Sequence, residues 1–153
     1  MSDTQGRPTR GRAGGPRALR LATAALTVLA ALALAQEADE LPKGIGPIAE
    51  VELGEIDPER VAAGRATFES LCSACHRFGE RYVGPDLLGV TERRAPEWIM
   101  NMVLNTNEML FEDDTAYGLL AEYMTPMPQL PLTEEQVRDV LEFFRHQDSQ
   151  LGN

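Results

Sequence analysis

The sequence predicts an all-α fold, and three observations indicate it. Apolar residues recur at helical spacing in several separate segments. Most of these segments begin or end at residues that typically cap or break a helix. No segment shows the strict alternation of apolar and polar residues that a half-buried strand would require. We therefore expect helices joined by loops, without a sheet.

Residues 1–35 are predicted to be an export signal and not part of the fold. Five arginines open this segment, and Leu21 to Ala35 is apolar and uncharged. The segment ends Ala33-Leu34-Ala35, the small-residue pattern of a signal peptidase site. Its fifteen apolar residues are short for a membrane-spanning helix, which needs about 20. We expect cleavage after Ala35 and a periplasmic mature protein without a membrane span, with an uncleaved membrane anchor as the alternative.

Charge divides the chain at the same place. Residues 1–35 carry five basic side chains and one acidic, a net charge of +4, whereas residues 36–153 carry nine basic and twenty-three acidic, a net charge of −14. The two parts sum to the formal charge of −10 for all 153 residues. Such an acidic domain repels phosphates, which argues against a nucleic-acid partner. It could associate with a basic patch on another protein through long-range attraction.

Residues 36–56 are predicted to form a linker or arm, because glycines and prolines interrupt them repeatedly. Apolar residues also recur along the arm, so it could either pack against the domain or remain an exposed tether. The domain itself is expected over residues 57–148. Asp57 is a good N-cap for its first helix, and Pro58 suits the first helical position. Gly64 lowers helix stability, so we expect another helix to approach closely there.

The first helix leads directly into Cys72-Ser73-Ala74-Cys75-His76, the pattern of covalent haem c attachment. The i, i+3 spacing puts both sulfurs on one face of a helical turn, where they can form thioethers with the haem vinyl groups. His76 can then be an axial ligand of the iron. A thioredoxin-type couple would need a βαβ context, which is absent from the sequence pattern. A zinc site would need a second Cys or His pair, and a disulfide would have to close a very small loop.

Two more helices and their boundaries are predicted after the motif. Gly84-Pro85 excludes regular helix in the loop that follows His76. Pro96 begins a helix that is expected to end at Asn105-Thr106-Asn107. Asp113 or Asp114 can cap the next helix.

Three prolines keep residues 124–132 in a loop. Met127 has a proline on each side, and a stiff backbone lowers the entropy lost when a thioether is held on iron. We therefore predict Met127 as the sixth ligand, with Met124 as the alternative. Thr133 and Gln136 form a capping box for the last helix.

From Asp57 to about His146 the chain resembles a class I monohaem cytochrome c. The resemblance rests on the first helix, the haem motif, Gly84-Pro85, Met127-Pro128 and the capped last helix. It implies a cytochrome c fold wrapped around one covalently attached haem c. The cofactor-binding residues that it implies are the following: Cys72, Cys75, His76 and Met127, with His76 and Met127 on the iron.

The resemblance also implies specific contacts. The first and last helices should cross, with Phe68 near Phe143 or Phe144. The carbonyl of Pro85 should accept a hydrogen bond from His76 Nδ1–H and so orient the ring. Trp98 or a nearby arginine would meet a haem propionate, although plain core packing is an equal alternative for Trp98.

The function expected from these features is electron transfer and not enzymatic catalysis. The protein would shuttle electrons in a periplasmic respiratory chain, between a protein donor and a terminal oxidase or reductase. The alternative is a haem c protein with an open sixth site that acts as a gas sensor or peroxidase.

Overall fold

The computed structural model describes residues 40–151. The predicted export signal, residues 1–35, lies outside this part of the chain. The described residues form no strand, so the all-α prediction is confirmed for them. None of their helices is long and apolar enough to cross a membrane. The α-helices are the following: α1 (Pro58–Thr67), α2 (Val90–Arg93), α3 (Pro96–Leu104), α4 (Thr106–Glu112), α5 (Asp114–Tyr123) and α6 (Glu134–Ser149).

Helices α1 and α6 cross at Gly64. A Cβ atom on Gly64 would lie 2.0 Å from the backbone oxygen of Asp139, so no larger residue fits without moving a helix. Arg60, one turn earlier, forms an ion pair of 2.6 Å with the Asp139 carboxylate. The close approach predicted for Gly64 is therefore confirmed.

Helix α1 begins as the sequence predicts, because the Asp57 carboxylate accepts the Glu59 N–H at 2.9 Å. It continues beyond Thr67 as a π-helical turn, Phe68–Cys72. Phe68 packs on Phe143 and Phe144 with ring centroids at 5.5 and 5.9 Å, which confirms the predicted contact. Phe78 joins the same aromatic cluster, 5.1 Å from Phe68. The chain segments before and after the haem motif are thus both anchored in the core.

The arm packs on helix α3 through polar side chains of that helix. Asn101 is only 1 % exposed. Its Oδ1 accepts the Ile48 N–H at 2.9 Å, and its Nδ2 donates to the carbonyls of Ile48 and Lys43 at 2.9 and 3.0 Å. Two further bonds join the same side of α3 to the arm backbone: Val51 N–H to Glu97, and Asn105 Nδ2 to the Ile45 carbonyl. This stretch of the arm is therefore attached to the domain.

The short helix α2 is held against α6 by one carboxylate. Asp148 accepts the backbone N–H groups of Gly89 and Thr91 at 2.7 and 2.9 Å, and the Thr91 hydroxyl at 2.6 Å. These N–H groups belong to the start of α2, where no intrahelical acceptor is available. Asp148 therefore acts as a long-range cap for this helix.

The segment Asn105-Thr106-Asn107 ends α3, as predicted, but a helix that was not predicted begins within it. Asn105 ends α3, and Thr106 begins α4. The Thr106 hydroxyl donates to the Met102 carbonyl at 2.7 Å, so the chain turns without a loop. Met109 is fully buried on α4, and this burial stabilises a helix that local propensity disfavours. Asp113 caps α5 by accepting the Ala116 N–H at 2.9 Å.

Candidate functional site

A largely apolar cavity lies between the haem-motif turn, helices α3 to α5 and the proline-rich loop. Its empty volume is about 1370 Å³, with the open solvent at its mouth included. All four predicted site residues line it, and its apolar wall is formed mainly by the following side chains: Ile99, Met102, Val103, Leu110, Leu119, Leu120 and Phe144. Leu71 and Val83, which are 45 % and 39 % exposed, line it as well.

The two cysteines lie on one turn of backbone. The N–H groups of Cys75 and His76 both donate to the Cys72 carbonyl at 3.0 Å, which closes the turn. Both cysteines are half-buried, and they are not joined in a disulfide. Burial, with a smaller contribution from the neighbouring Cys75, raises the pKa of the Cys72 thiol to about 11. The thiol is therefore uncharged at neutral pH, which suits the apolar cavity.

His76 is oriented from two sides. Its Nδ1–H donates to the Pro85 carbonyl at 3.0 Å, as predicted, which leaves Nε2 as the nitrogen with a free lone pair. Burial lowers the pKa of His76, and the bond to Pro85 opposes this only partly. Gly84 lies against the ring, since a Cβ there would be 2.6 Å from His76 Cε1. The sequence analysis identifies Gly84 as a helix breaker and as part of the family resemblance, but it does not predict the contact with the ring, which is tertiary.

The two candidate methionines differ in position. Met127 is half-buried and lines the cavity. Met124 is 82 % exposed, has a φ of 54° at the end of α5 and does not line the cavity. Of the two thioethers, the structure thus brings only that of Met127 to the cavity.

Polar groups near the cavity are few. The charged side chains that line it are those of Asp86, Arg93 and Arg94. Trp98 lines it too, but the residue is 5 % exposed and its indole N–H donates to Asp113 at 3.1 Å. The indole N–H is therefore used within the protein, which favours the core interpretation of Trp98. The guanidinium of Arg93 donates to the carbonyls of Leu88 and Asp86, and that of Arg94 to the carbonyl of Arg93. Their positive charge suits carboxylates such as the propionates of a porphyrin.

The donor set fits a covalently held haem. Two thiols on one turn, a neutral imidazole with a free Nε2 and a thioether all line the same cavity. The apolar wall and the exposed Leu71 and Val83 match the apolar surface of a macrocycle. Fold and cavity together define an all-α protein built to carry a covalently attached haem.

Comparison with known proteins identifies the family. Residues 61–148, more than half of the chain, match the family model described as Cytochrome c. The chain therefore belongs to the cytochrome c family and is a monohaem c-type cytochrome with covalently attached haem c. It is accordingly an electron-transfer haem protein.

Similar proteins support this assignment. A cytochrome c from Rhodothermus marinus is 42 % identical, with a TM-score of 0.67 over 69 % of this chain and 91 % of that one. The cytochrome c domain of a Pseudomonas putida protein is 27 % identical, with a TM-score of 0.52 over 58 % of this chain and 91 % of that one. A cytochrome c-553-like protein of Synechocystis sp. is 28 % identical over 83 residues, 54 % of this chain. That match spans 64 % of the relative's own length, less than two thirds.

Proposed function

We propose that this cytochrome is a periplasmic electron carrier whose iron is held between His76 and Met127. In this proposal Cys72 and Cys75 form the two thioether bonds to the porphyrin. The observation that supports it is the arrangement of the cavity, which is lined by all four residues but not by Met124. With both residues on the iron, the bound haem would present no open site to a substrate.

The residues of the chain prepare the site for electron transfer. When bound, haem c supplies a ferric–ferrous couple, and methionine ligation raises its potential. The Pro85 carbonyl fixes the tautomer and orientation of His76 through Nδ1–H. The apolar wall disfavours additional charge in the cavity. Arg93 and Arg94 place positive charge at the cavity, and Asp86 places one negative charge there.

The proposed location and partners are supported by the sequence. Residues 1–35 have the composition of a cleavable export signal. Both cysteines of the chain lie in the haem motif, so haem attachment leaves no free thiol to oxidise outside the cytoplasm. The net charge of −14 over residues 36–153 favours a redox partner with a basic docking surface. We propose a respiratory chain as the setting, with a protein donor and a terminal oxidase or reductase.

The first test is whether the protein contains haem c. The full chain is expressed with a cytochrome c maturation system, and a pyridine haemochrome spectrum is recorded on the purified, denatured protein. We expect the spectrum of a haem with both vinyl groups saturated, which remains with the polypeptide after acid–acetone extraction. A colourless product, or haem lost on extraction, would contradict the proposal.

The second test identifies the sixth ligand. Ferric proteins with a methionine thioether on iron show a weak absorption band in the red, which is expected here in the wild type. Met127→Ala should abolish this band, whereas the matched variant Met124→Ala should keep it. A gas sensor or peroxidase with an open sixth site predicts that Met127→Ala leaves the spectrum unchanged, and that result would exclude the electron carrier as proposed.

A further inference from the structure

The loop that carries Met127 has little backbone structure to hold it. Three of the residues from Met124 to Leu132 are prolines, which have no N–H to donate. The backbone–backbone hydrogen bonds described for this loop lie at its ends: Met124 N–H to the Leu120 carbonyl, and Leu132 N–H to the Leu130 carbonyl, both at 2.9 Å. Between these ends, the position of Met127 depends on side chains.

Gln129 ties the loop to the cavity wall. Its Nε2 donates to the carbonyl of Leu104 at 2.9 Å and to that of Val103 at 3.4 Å. Both carbonyls belong to the last turn of α3, where helical carbonyls lack intrahelical partners. Val103 also lines the cavity with its side chain. Gln129 therefore joins the chain two residues after Met127 to the wall that faces the haem site.

Arg81 ties the other end of the loop to the histidine side. Its guanidinium group bonds the Glu122 carboxylate, approaches the Glu122 carbonyl at 3.4 Å and stacks over the Tyr123 ring at 4.1 Å. Tyr123 lines the cavity and immediately precedes Met124. Arg81 itself lies between His76 and Pro85 in the chain. The loop that orients His76 is thus bonded to the segment that leads into the methionine loop.

We infer that Gln129 and Arg81 are positioning residues that hold Met127 at the haem cavity against competing ligands. The inference rests on the proposed function, in which the Met127 thioether occupies the sixth position. A thioether is a neutral and weak ligand, so a loop held loosely spends more time away from the site. The apparent affinity of an external ligand is then proportional to the fraction of molecules with the loop displaced. Imidazole binding to the ferric holoprotein measures this fraction.

The decisive variant is Gln129→Glu, which keeps the size of the side chain but replaces its amide donor with a carboxylate. At neutral pH this group cannot donate to the α3 carbonyls and is repelled by them. We expect the apparent dissociation constant of imidazole to fall about tenfold, from the loss of the hydrogen bond to Leu104 together with the repulsion. Gln150→Glu is the matched control, since Gln150 donates to Ser149 at the end of α6 and does not line the cavity. It adds the same charge and should leave imidazole binding within about twofold of the wild type.

Arg81→Gln tests the second tie. The pair with Glu122 is half exposed, so we expect a smaller effect, with imidazole binding about threefold tighter. Added salt should narrow the difference between wild type and Arg81→Gln, because salt screens an exposed ion pair. Arg60→Gln is the control: it removes the ion pair between α1 and α6 and so lowers the melting temperature without touching the methionine loop.

The outcomes separate positioning from general stability. A merely structural role would lower the melting temperature and leave the imidazole dissociation constant unchanged. Equal constants for Gln129→Glu and Gln150→Glu would overturn the role of Gln129, and equal constants for Arg81→Gln and Arg60→Gln would overturn that of Arg81. If Met127→Ala keeps the red band, the axial ligand itself is wrong and the inference fails with it. The red band therefore distinguishes the two failures.

Discussion

The histidine side and the methionine side of the haem cavity are held by different interactions. On the histidine side, the Gly84 N–H donates to the Cys75 carbonyl at 2.8 Å, and His76 donates to the Pro85 carbonyl. Phe78, two residues after His76, packs among the core aromatic rings. On the methionine side, the loop depends on side chains, those of Gln129 and Arg81.

This difference has a mechanical consequence. The His76 ring cannot turn without breaking its bond to the Pro85 carbonyl, and Gly84 and the core-packed Phe78 hold the backbone on either side of it. Met127 can move after a few surface bonds open, and the core then stays intact. Local opening is expected where buried apolar contacts are few and hydrogen bonds are exposed. The axial pair thus joins a rigid ligand to an adjustable one, and loss of a ligand should begin on the methionine side.

The largest effect is expected from a change that crowds the histidine side. In Gly84→Ala the new Cβ would lie 2.6 Å from His76 Cε1, and neither the ring nor the backbone is free to move. We expect a loss of about 3 kcal/mol in the free energy of unfolding, together with a lower yield of holoprotein. Guanidinium denaturation followed by circular dichroism measures the free energy of unfolding. The haem-to-protein absorbance ratio measures the yield of holoprotein.

Gly118→Ala is the control for this substitution. Nothing lies within 4 Å of a Cβ built on Gly118, which sits inside helix α5. Alanine should stabilise the helix there by about 0.5–1 kcal/mol. A Gly84→Ala variant as stable as the wild type would show that the histidine side is as adjustable as the methionine side, and the contrast between them would disappear.

A smaller effect is expected from removing the aromatic ring that anchors the histidine side. Phe78 is half-buried among Phe68, Phe143 and Phe144, with centroid distances of 5.1, 5.5 and 5.8 Å. Phe78→Ala should cost about 2 kcal/mol of unfolding free energy, less than for a fully buried ring. Phe111→Ala removes a ring that is 69 % exposed and should change stability by less than about 0.5 kcal/mol. If the two variants are equally stable, the core does not anchor the histidine side.

The smallest effect is expected on the methionine side. Met124 has a φ of 54°, in the left-handed region that favours glycine at a helix C-terminus. Met124→Gly removes this strain at the expense of backbone entropy, so we expect a gain of about 0.5 kcal/mol in unfolding free energy. The red absorption band of the ferric protein should not change. A weaker band would mean that Met124 contributes to the site, and the roles given to the two methionines would have to be revised.

Local signals were sufficient for much of the fold. The caps at Asp57 and Thr133 and the turn at the haem motif depend on residues within a few positions of each other, which a single sequence displays. Both bonds of the capping box at Thr133 are present. The close approach at Gly64 was predictable from the glycine itself, and the family resemblance supplied the partner helix and the partners of Phe68.

Long-range contacts account for what the sequence left open or missed. Gln129 bonds a carbonyl 25 residues away, and Asn101 bonds the arm 53 residues away, so neither partner is visible in a local pattern. The choice between Met127 and Met124 depends on which of them faces the cavity. Helix α4 begins with Thr106 and Asn107, which favour breaks, and burial of Met109 overrides that preference. In each case a contact between residues distant in the sequence determines the local structure.

The attachment of the arm to α3 means that the folded unit is larger than the family match. The match begins at residue 61, whereas the compact unit begins at Leu41. In binding terms, this arm is a peptide ligand and the polar side of α3 is its receptor. The covalent connection through Asp57 keeps the ligand at a high effective concentration, so even a weak peptide stays bound. In a chain shortened to start at Asp57, the Asn101 side chain would lose its hydrogen-bond partners in the arm. Only water could then satisfy its buried amide group.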